Sequence, residues 1–527
     1  MLAAGKKATV DGSVLVARSE DAAHGNHVLQ VVAVPRKKHD STEMIVFEKM
    51  GDTGALLPPG VEIPQVPETY AYLGLVSVIE GEKISITAGG INEFQVCAGP
   101  SSGGYLNKKT LDSNQEIPSS IGDYRCTVVL QQCKTAREGI RLIGDLTERF
   151  GARIDNYIVA DPNEVWIYEE YRGRLWAAAR IPDDCFFVEA NTVRIGEINL
   201  EDQDNFMGSN KLLSLAVEND LYDPKSGEPF NLSKVYGAQT GKLRYGVPSP
   251  NYDRHRIWRG ITLLAPSTKL DAEEPSWMYP LFVKPDRKLT PKDFIAVMKD
   301  HYEGTHYDHY SVNKEEYKQA GGALEGWSSS LGPEPQSDLY VNKNRQYQFA
   351  PVWGEERIIG TTRAVTTYVG QLRSWMPNPI GGVLWAGLGE AATSAHIPWY
   401  CGMTRTPEPY TIGTQKEGSH AADPFNGSIF DEKSAAWNFR VISNLVNLFY
   451  SATKDEVLPV WNRWEQRLFS LQPVVEKAAT ELYEKDVSEA IEFITDYSCS
   501  KANEALDIAK NMIRRLQTII AHYNAPQ

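Results

Sequence analysis

Cysteine is sparse and unpatterned in this chain. Six occur in 527 residues, Cys97, Cys126, Cys133, Cys185, Cys401 and Cys499, and no two form a C-x-x-C pair. That excludes a disulfide framework and a zinc ribbon, and predicts buried free thiols. No run of 18 or more apolar residues occurs, so no segment reads as a bilayer span. Basic charge is short as well. Lys and Arg number 54 against 68 Asp and Glu, a net charge of −14. A nucleic-acid or anionic-membrane binder would need a basic footprint that this composition lacks. There is no H-E-x-x-H, no G-x-G-x-x-G and no phosphate-binding loop, because Gly5-Lys6-Lys7 lacks the upstream glycine. The opening MLAAGKKATVDGSVLVARSED holds no charged segment followed by an apolar stretch, so no signal peptide is visible.

What is present is an ordinary globular balance, 42% hydrophobic and 23% charged. Length alone suggests about three domains, at roughly 100–200 residues each. The 12 Trp and 25 Tyr suit a large core and equally suit clefts that grip small molecules. The first half reads as strands over 13–17, 27–34, 43–47, 70–79, 83–87 and 94–98, with Glu80-Gly81-Glu82 as a hairpin-like loop. The period then changes. Ile140, Ile143, Leu146 and Phe150 share one helical stripe over 136–150, and Gly151 is a stop signal. Short strands follow at 156–160, 165–169, 175–180 and 186–189. The middle, about 200–430, has weak periodicity. Its clearest elements are a helix over 291–302 with Thr290 as N-cap, and strands at 361–368 and 382–385. Beyond about 432 the spacing predicts helices over 434–450, 456–469, 473–485 and 487–523. Runs of strands and then runs of helices predict an α+β architecture, not a doubly wound parallel sheet.

Two motifs invite chemistry and resist it. Gly99-Pro100-Ser101-Ser102-Gly103 matches G-x-S-x-G, but a nucleophile elbow needs a helix directly afterwards. The turn-like residues that follow make it a Gly/Ser-rich loop. The stretch from Asp300 to His309 holds three His and two Asp, yet its spacing fits no standard zinc pattern and Gly304 interrupts any helix. It reads as a polar loop lining a cleft, with no metal. The N-terminal segment offers a turn at Asp11-Gly12, a short apolar strand and the cluster Arg18-Ser19-Glu20-Asp21. By themselves Arg18 and Asp21 read first as a plain surface ion pair, since exposed pairs are common.

The run Gly5-Lys6-Lys7-Ala8-Thr9, Asp11-Gly12-Ser13 and Arg18-x-x-Asp21 resembles the opening of the dipeptidase A / secernin family of N-terminal-nucleophile hydrolases. Further segments are similar in the same order: Gly90-Ile91-Asn92 with Val96, the 136–151 helix, Val165–Glu169, Arg180–Asp184, Ala190-Asn191, Arg256-Ile257-Trp258, His301–Thr305 and Thr361-Thr362-Arg363. Each is weak alone. Together they cover about residues 5–410.

The resemblance implies a four-layer αββα sandwich, catalytic over 1–430, with a helical extension over 431–527 packed on it. It implies a dipeptidase whose first residue, a cysteine, is the nucleophile and whose own α-amine is the general base. Arg18 is then expected to favour the thiolate, Asp21 to orient the amine, Asn191 to serve the oxyanion and Arg256 to order the group or meet the substrate. Asn92, Tyr302, Tyr307 and Trp385 are expected to line the substrate site. No cofactor or metal is implied; the partner is a small peptide, and a homo-oligomer is left open. One departure is plain. Counted back from Gly5, the family cysteine falls two positions ahead of Met1, and Met1-Leu2-Ala3-Ala4 holds no Cys, Ser or Thr. The expectation is a chain shortened at an internal methionine, cytoplasmic as written and exported if a leader precedes it. An amide acylase, or a non-catalytic binding protein on the same scaffold, is the alternative.

Overall fold

The computed structural model describes residues 1–21, 29–47, 61–79, 86–102, 106–113, 124–151, 155–237, 242–244, 247–249, 253–305, 307, 358–361, 364–412, 414–415 and 430–523. The hairpin loop at Glu80-Gly81-Glu82, Gly103, His306, Asp308, His309 and the pair Thr362-Arg363 lie outside these residues.

Among the described residues, fifteen strands build two large sheets. In chain order they are β1 (Leu2–Ala4), β2 (Val14–Asp21), β3 (Gln30–Val34), β4 (Tyr72–Ile79), β5 (Ile86–Asn92), β6 (Cys97–Ser102), β7 (Asp155–Ala160) and β8 (Val165–Glu170). Then come β9 (Trp176–Arg180), β10 (Phe186–Val188), β11 (Phe206–Gly208), β12 (Ala364–Leu372), β13 (Val383–Leu388), β14 (Ile397–Tyr400) and β15 (Thr414–Gln415). The six-stranded sheet has the order β10-β1-β2-β12-β13-β14 and is antiparallel throughout. The nine-stranded sheet has the order β11-β9-β8-β7-β6-β5-β4-β15, with β3 also paired to β4. Its β15 runs parallel to β4.

Helices cover both outer faces. α1 (Tyr124–Gln132) and α2 (Ala136–Phe150) lie on the nine-stranded sheet. α3 (Arg254–Leu264) packs on β10, α4 (Pro291–Met298) on β2 and β12, α5 (Ala435–Leu448) on β13 and α7 (Val487–Tyr523) on β14. α6 (Tyr450–Tyr483) packs between α5 and α7. Across the interior β2 faces β6 and β7, and β13 faces β5. These are the four layers, helix, sheet, sheet, helix, that the resemblance implies.

Local chemistry explains the clearest elements. Thr135 accepts the Glu138 N–H at 3.2 Å and Glu138 accepts the Thr135 N–H at 3.2 Å, a reciprocal cap that starts α2. Ile140 and Ile143 then bury against Tyr157, Val159 and Trp166 of the sheet, each burial stabilising by roughly 1.5–3 kcal/mol. Gly151 ends the helix at a φ of +86°.

Several elements differ from the expectation. β6 begins at Cys97, not residue 94, because Gln95 turns the chain at a φ of +65°. Gly99–Ser102 pairs along β7 as regular strand, so this stretch is not a loop. α4 stops at Met298 because the Asp300 carboxylate accepts the Tyr302 N–H at 2.9 Å and Tyr302 adopts a φ of +67°. α6 runs unbroken through Pro459 and Pro473, where sequence reading divides it between 469 and 473. All six cysteines are free, five of them buried.

Candidate active site

β1 is three residues long and lies between β10 and β2, so its head is ringed by both neighbours. The Met1 nitrogen donates to the Glu189 carbonyl at 2.7 Å, and the Glu189 N–H donates to the Met1 carbonyl at 2.9 Å. On the other side Leu2 is level with Ala17, which puts Met1 level with Arg18. The Met1 amine is fully buried, and that burial is the strongest influence on it, lowering its pKa. Glu189 opposes the shift, Arg256 and Arg18 reinforce it, and Asp21 opposes it; the net result is a lowered value.

Arg18 and Asp21 stand where β2 turns from apolar to polar. Arg18 is 6% exposed, so it is not the surface ion pair that its spacing also allows. Its guanidinium donates to the Ala88 carbonyl and to the Glu20 carboxylate. Asp21 accepts the Ser19 hydroxyl at 3.0 Å. Arg18 is level with Tyr368 on β12, and both side chains point between the sheets. The Tyr368 hydroxyl abuts Gly89 and Gly99, where any Cβ would collide with it. A small pocket results, lined by Met1, Arg18, Cys97, Gly99, Ile158 and Tyr368. Burial pushes the Cys97 pKa far upward, so the pocket's own cysteine is held as an unreactive thiol.

Asn191 lies just past β10 in the left-handed region, at a φ of +56°. Its Oδ1 accepts from Arg256 at 3.0 Å, and the same Arg256 nitrogen reaches the Ala190 carbonyl at 3.4 Å. The structure therefore gathers Arg18, Asp21, Asn191 and Arg256 around the head of β1.

The four residues expected to line the substrate site are scattered. Tyr307 packs its ring 4.1 Å from His255, the neighbour of Arg256 on α3, and donates to Glu273 at 2.6 Å. Tyr302 is fully buried beside it, supporting the Tyr307 ring at 6.4 Å. Asn92 and Trp385 face away from the site. Asn92 donates to the Leu130 and Cys133 carbonyls at 3.0 and 2.8 Å and accepts from the Phe94 and Val96 N–H groups at 3.0 and 2.9 Å. Its four hydrogen-bonding positions are thus filled from the helix layer and its own turn. Trp385 is level with Val369, one residue out of phase with Tyr368, so it occupies the opposite face of its sheet. There it packs 4.1 Å from Phe469 of α6.

Sequence reading missed Glu189 and Tyr368. Glu189 directly precedes the Ala190-Asn191 pair, and an acid beside that pair was the available signal. Tyr368 carried no local signal; only its register with Arg18 reveals it.

The model of peptidase family C69 matches residues 1–463. The chain belongs to peptidase family C69. Among its relatives, a "Probable dipeptidase" of Latilactobacillus sakei is 27% identical over 516 residues, covering 98% of this chain and 93% of that one. A "Dipeptidase" of Bifidobacterium longum is 25% identical, covering 85% and 79%. Among solved structures, a mutant conjugated bile acid hydrolase from Clostridium perfringens is a distant likeness. It matches over 52% of this C69 chain and 74% of its own, at 13% identity and a TM-score of 0.24.

Proposed function

We propose that this C69 member is a dipeptidase whose nucleophile is a cysteine two positions ahead of Met1. Family membership and relatives named as dipeptidases support the substrate class. The observation that carries the nucleophile is strand register. Met1 is level with Glu189 on one side and Arg18 on the other. Two more residues in the same register come level with Asn191 and with Glu20, next to Asp21. A cysteine there would sit level with Asn191, beside Asp21, and two residues along the strand from the level of Arg18.

In this reading the cysteine α-amine takes the thiol proton and the thiolate attacks the peptide carbonyl carbon. The Arg18 guanidinium favours the thiolate, and Asp21 orients the amine. Arg256 occupies the Asn191 Oδ1, so the amide NH₂ is the end that serves the oxyanion. The amine passes its proton to the leaving amino acid as the C–N bond breaks and a thioester forms. It then deprotonates the water that attacks the thioester, restoring the thiol.

The test uses the chain as given beside a form bearing Cys-Thr directly ahead of Met1, with the cysteine amine free. The extended form is expected to release free amino acids from dipeptides and to lose that activity on alkylation; the chain as given is expected to release none. Turnover of an acylated amide but of no dipeptide by the extended form would assign it to the acylases. No turnover of either kind would leave a binding scaffold.

A further inference from the structure

We infer that Glu189 is a positioning residue, clamping the turn that holds Asn191 toward the head of β1; this rests on the proposed role of Asn191 in dipeptide hydrolysis. The side chain of Glu189 is 1% exposed. Its Oε1 accepts the Thr192 N–H at 3.0 Å and the Asn156 amide at 3.4 Å. The same Asn156 nitrogen donates to the Thr192 carbonyl at 3.0 Å. Both backbone polar groups of Thr192 are therefore held, one by each side chain. Asn156 belongs to β7, so the clamp joins the nine-stranded sheet to the end of a six-stranded-sheet strand.

Asn191 lies inside this clamp, between Glu189 and Thr192, in the left-handed region, which asparagine tolerates better than most non-glycine residues but which the clamped turn selects here. Release of Thr192 would let Asn191 relax toward the common regions and withdraw its Oδ1 from Arg256. The second oxygen of Glu189 is buried, has no hydrogen-bond partner among the described residues and lies 3.8 Å from the Met1 nitrogen. The carboxylate thus has two faces, one holding the turn and one turned to β1, and the first is the one that positions Asn191.

The extended Cys-Thr form is the parent for the test. Glu189→Ala is expected to lower kcat by about tenfold to a hundredfold while KM stays within about twofold. Glu189→Gln keeps an acceptor for Thr192 and Asn156 and is expected to retain kcat within about threefold. Asn156→Ala, which leaves Glu189 in place, is expected to lower kcat in the same sense. Crystal structures of the two alanine variants are expected to show Asn191 out of the left-handed region and parted from Arg256. Unchanged kcat in both, or Asn191 unmoved in both, overturns the clamp. So does a Glu189→Gln loss as deep as that of Glu189→Ala, which would give the function to the charge. A parent that cleaves no dipeptide overturns the proposed function instead, and the position of Asn191 in the variants still decides this inference.

Discussion

Asn92 and Asn191 carry the same amide to different ends. Asn92 binds two carbonyls at the end of α1 and two N–H groups of its own turn. Asn92→Ala strands those buried groups, and is expected to cost about 2–4 kcal/mol in denaturant unfolding while leaving kcat of the folded enzyme unchanged. A fall in kcat without loss of stability would return Asn92 to the substrate site. The sequence singles out both asparagines within recognisable segments, but an amide's duty depends on partners that arrive from other elements. Leu130 lies in α1 and Cys133 directly follows it, and that helix is not read from sequence, so the structural use of Asn92 is invisible beforehand. Gly99 is a sharper case, because G-x-S-x-G draws attention to Ser101 while the glycine holds the constraint. A methyl group at Gly99 meets the Tyr368 hydroxyl and lies 3.2 Å from the Arg18 Cδ. Gly99→Ala is expected to destabilise by about 1–3 kcal/mol through overpacking. Removing the hydroxyl in Tyr368→Phe should recover part of that loss in the double mutant. Strictly additive effects in urea unfolding would show that the two do not meet.

At the scale of elements, legibility follows how local the determinants are. α2 is read to within a residue because its cap, its apolar stripe and its stop glycine all lie in its own segment. Thr135→Ala removes the cap and is expected to cost about 1 kcal/mol, seen as a lower midpoint in denaturant. α6 is misread for the opposite reason. Pro473 is a breaking signal, yet the helix continues because tertiary contacts fix it along its length. Trp461 and Leu468 are fully buried, and Glu465 and Glu476 reach buried partners on either side of Pro473. Glu476 accepts from both Arg373 terminal nitrogens at 2.6 and 2.7 Å, from Tyr400 at 3.1 Å and from Gln472 at 2.8 Å. Glu476→Ala leaves the buried Arg373 charge without its carboxylate and is expected to cost about 3–5 kcal/mol. A loss below about 1 kcal/mol, of the size typical for an exposed pair, would mean that this bond does not hold α6 to the sheet.

Across the whole molecule, the length that suggests three domains resolves into two sheets sharing one interior, with the C-terminal helices bound into it by buried charge. His301, in the loop after α4, contacts Glu303 at 2.9 Å and Glu390 at 3.4 Å, and Glu390 accepts from Asn447 of α5 at 2.7 Å. Lys299 and His396 both reach Glu465 of α6, each at 2.7 Å. The tie of α5 through His301 is therefore sensitive to pH in a definite direction. Burial, the largest single influence, pulls the His301 pKa down, but the Glu303 and Glu390 carboxylates outweigh it and hold it at about 9 against an ordinary 6.5. A folded pKa above the unfolded one gives stability that is complete below 6.5 and is lost as pH rises through 9. Burial raises Glu169 from 4.5 to about 7, which adds a loss of the same sign over that lower interval. Stability is expected to decline from mildly acidic pH toward pH 9, and His301→Gln should flatten the upper part of that decline. Because His301 and Glu465 join the helices to the sandwich, calorimetry should show one transition that shifts as a unit with pH. Two transitions, of which one alone moved with pH, would make residues beyond about 431 a separately folding unit and would separate buried charge from cooperativity.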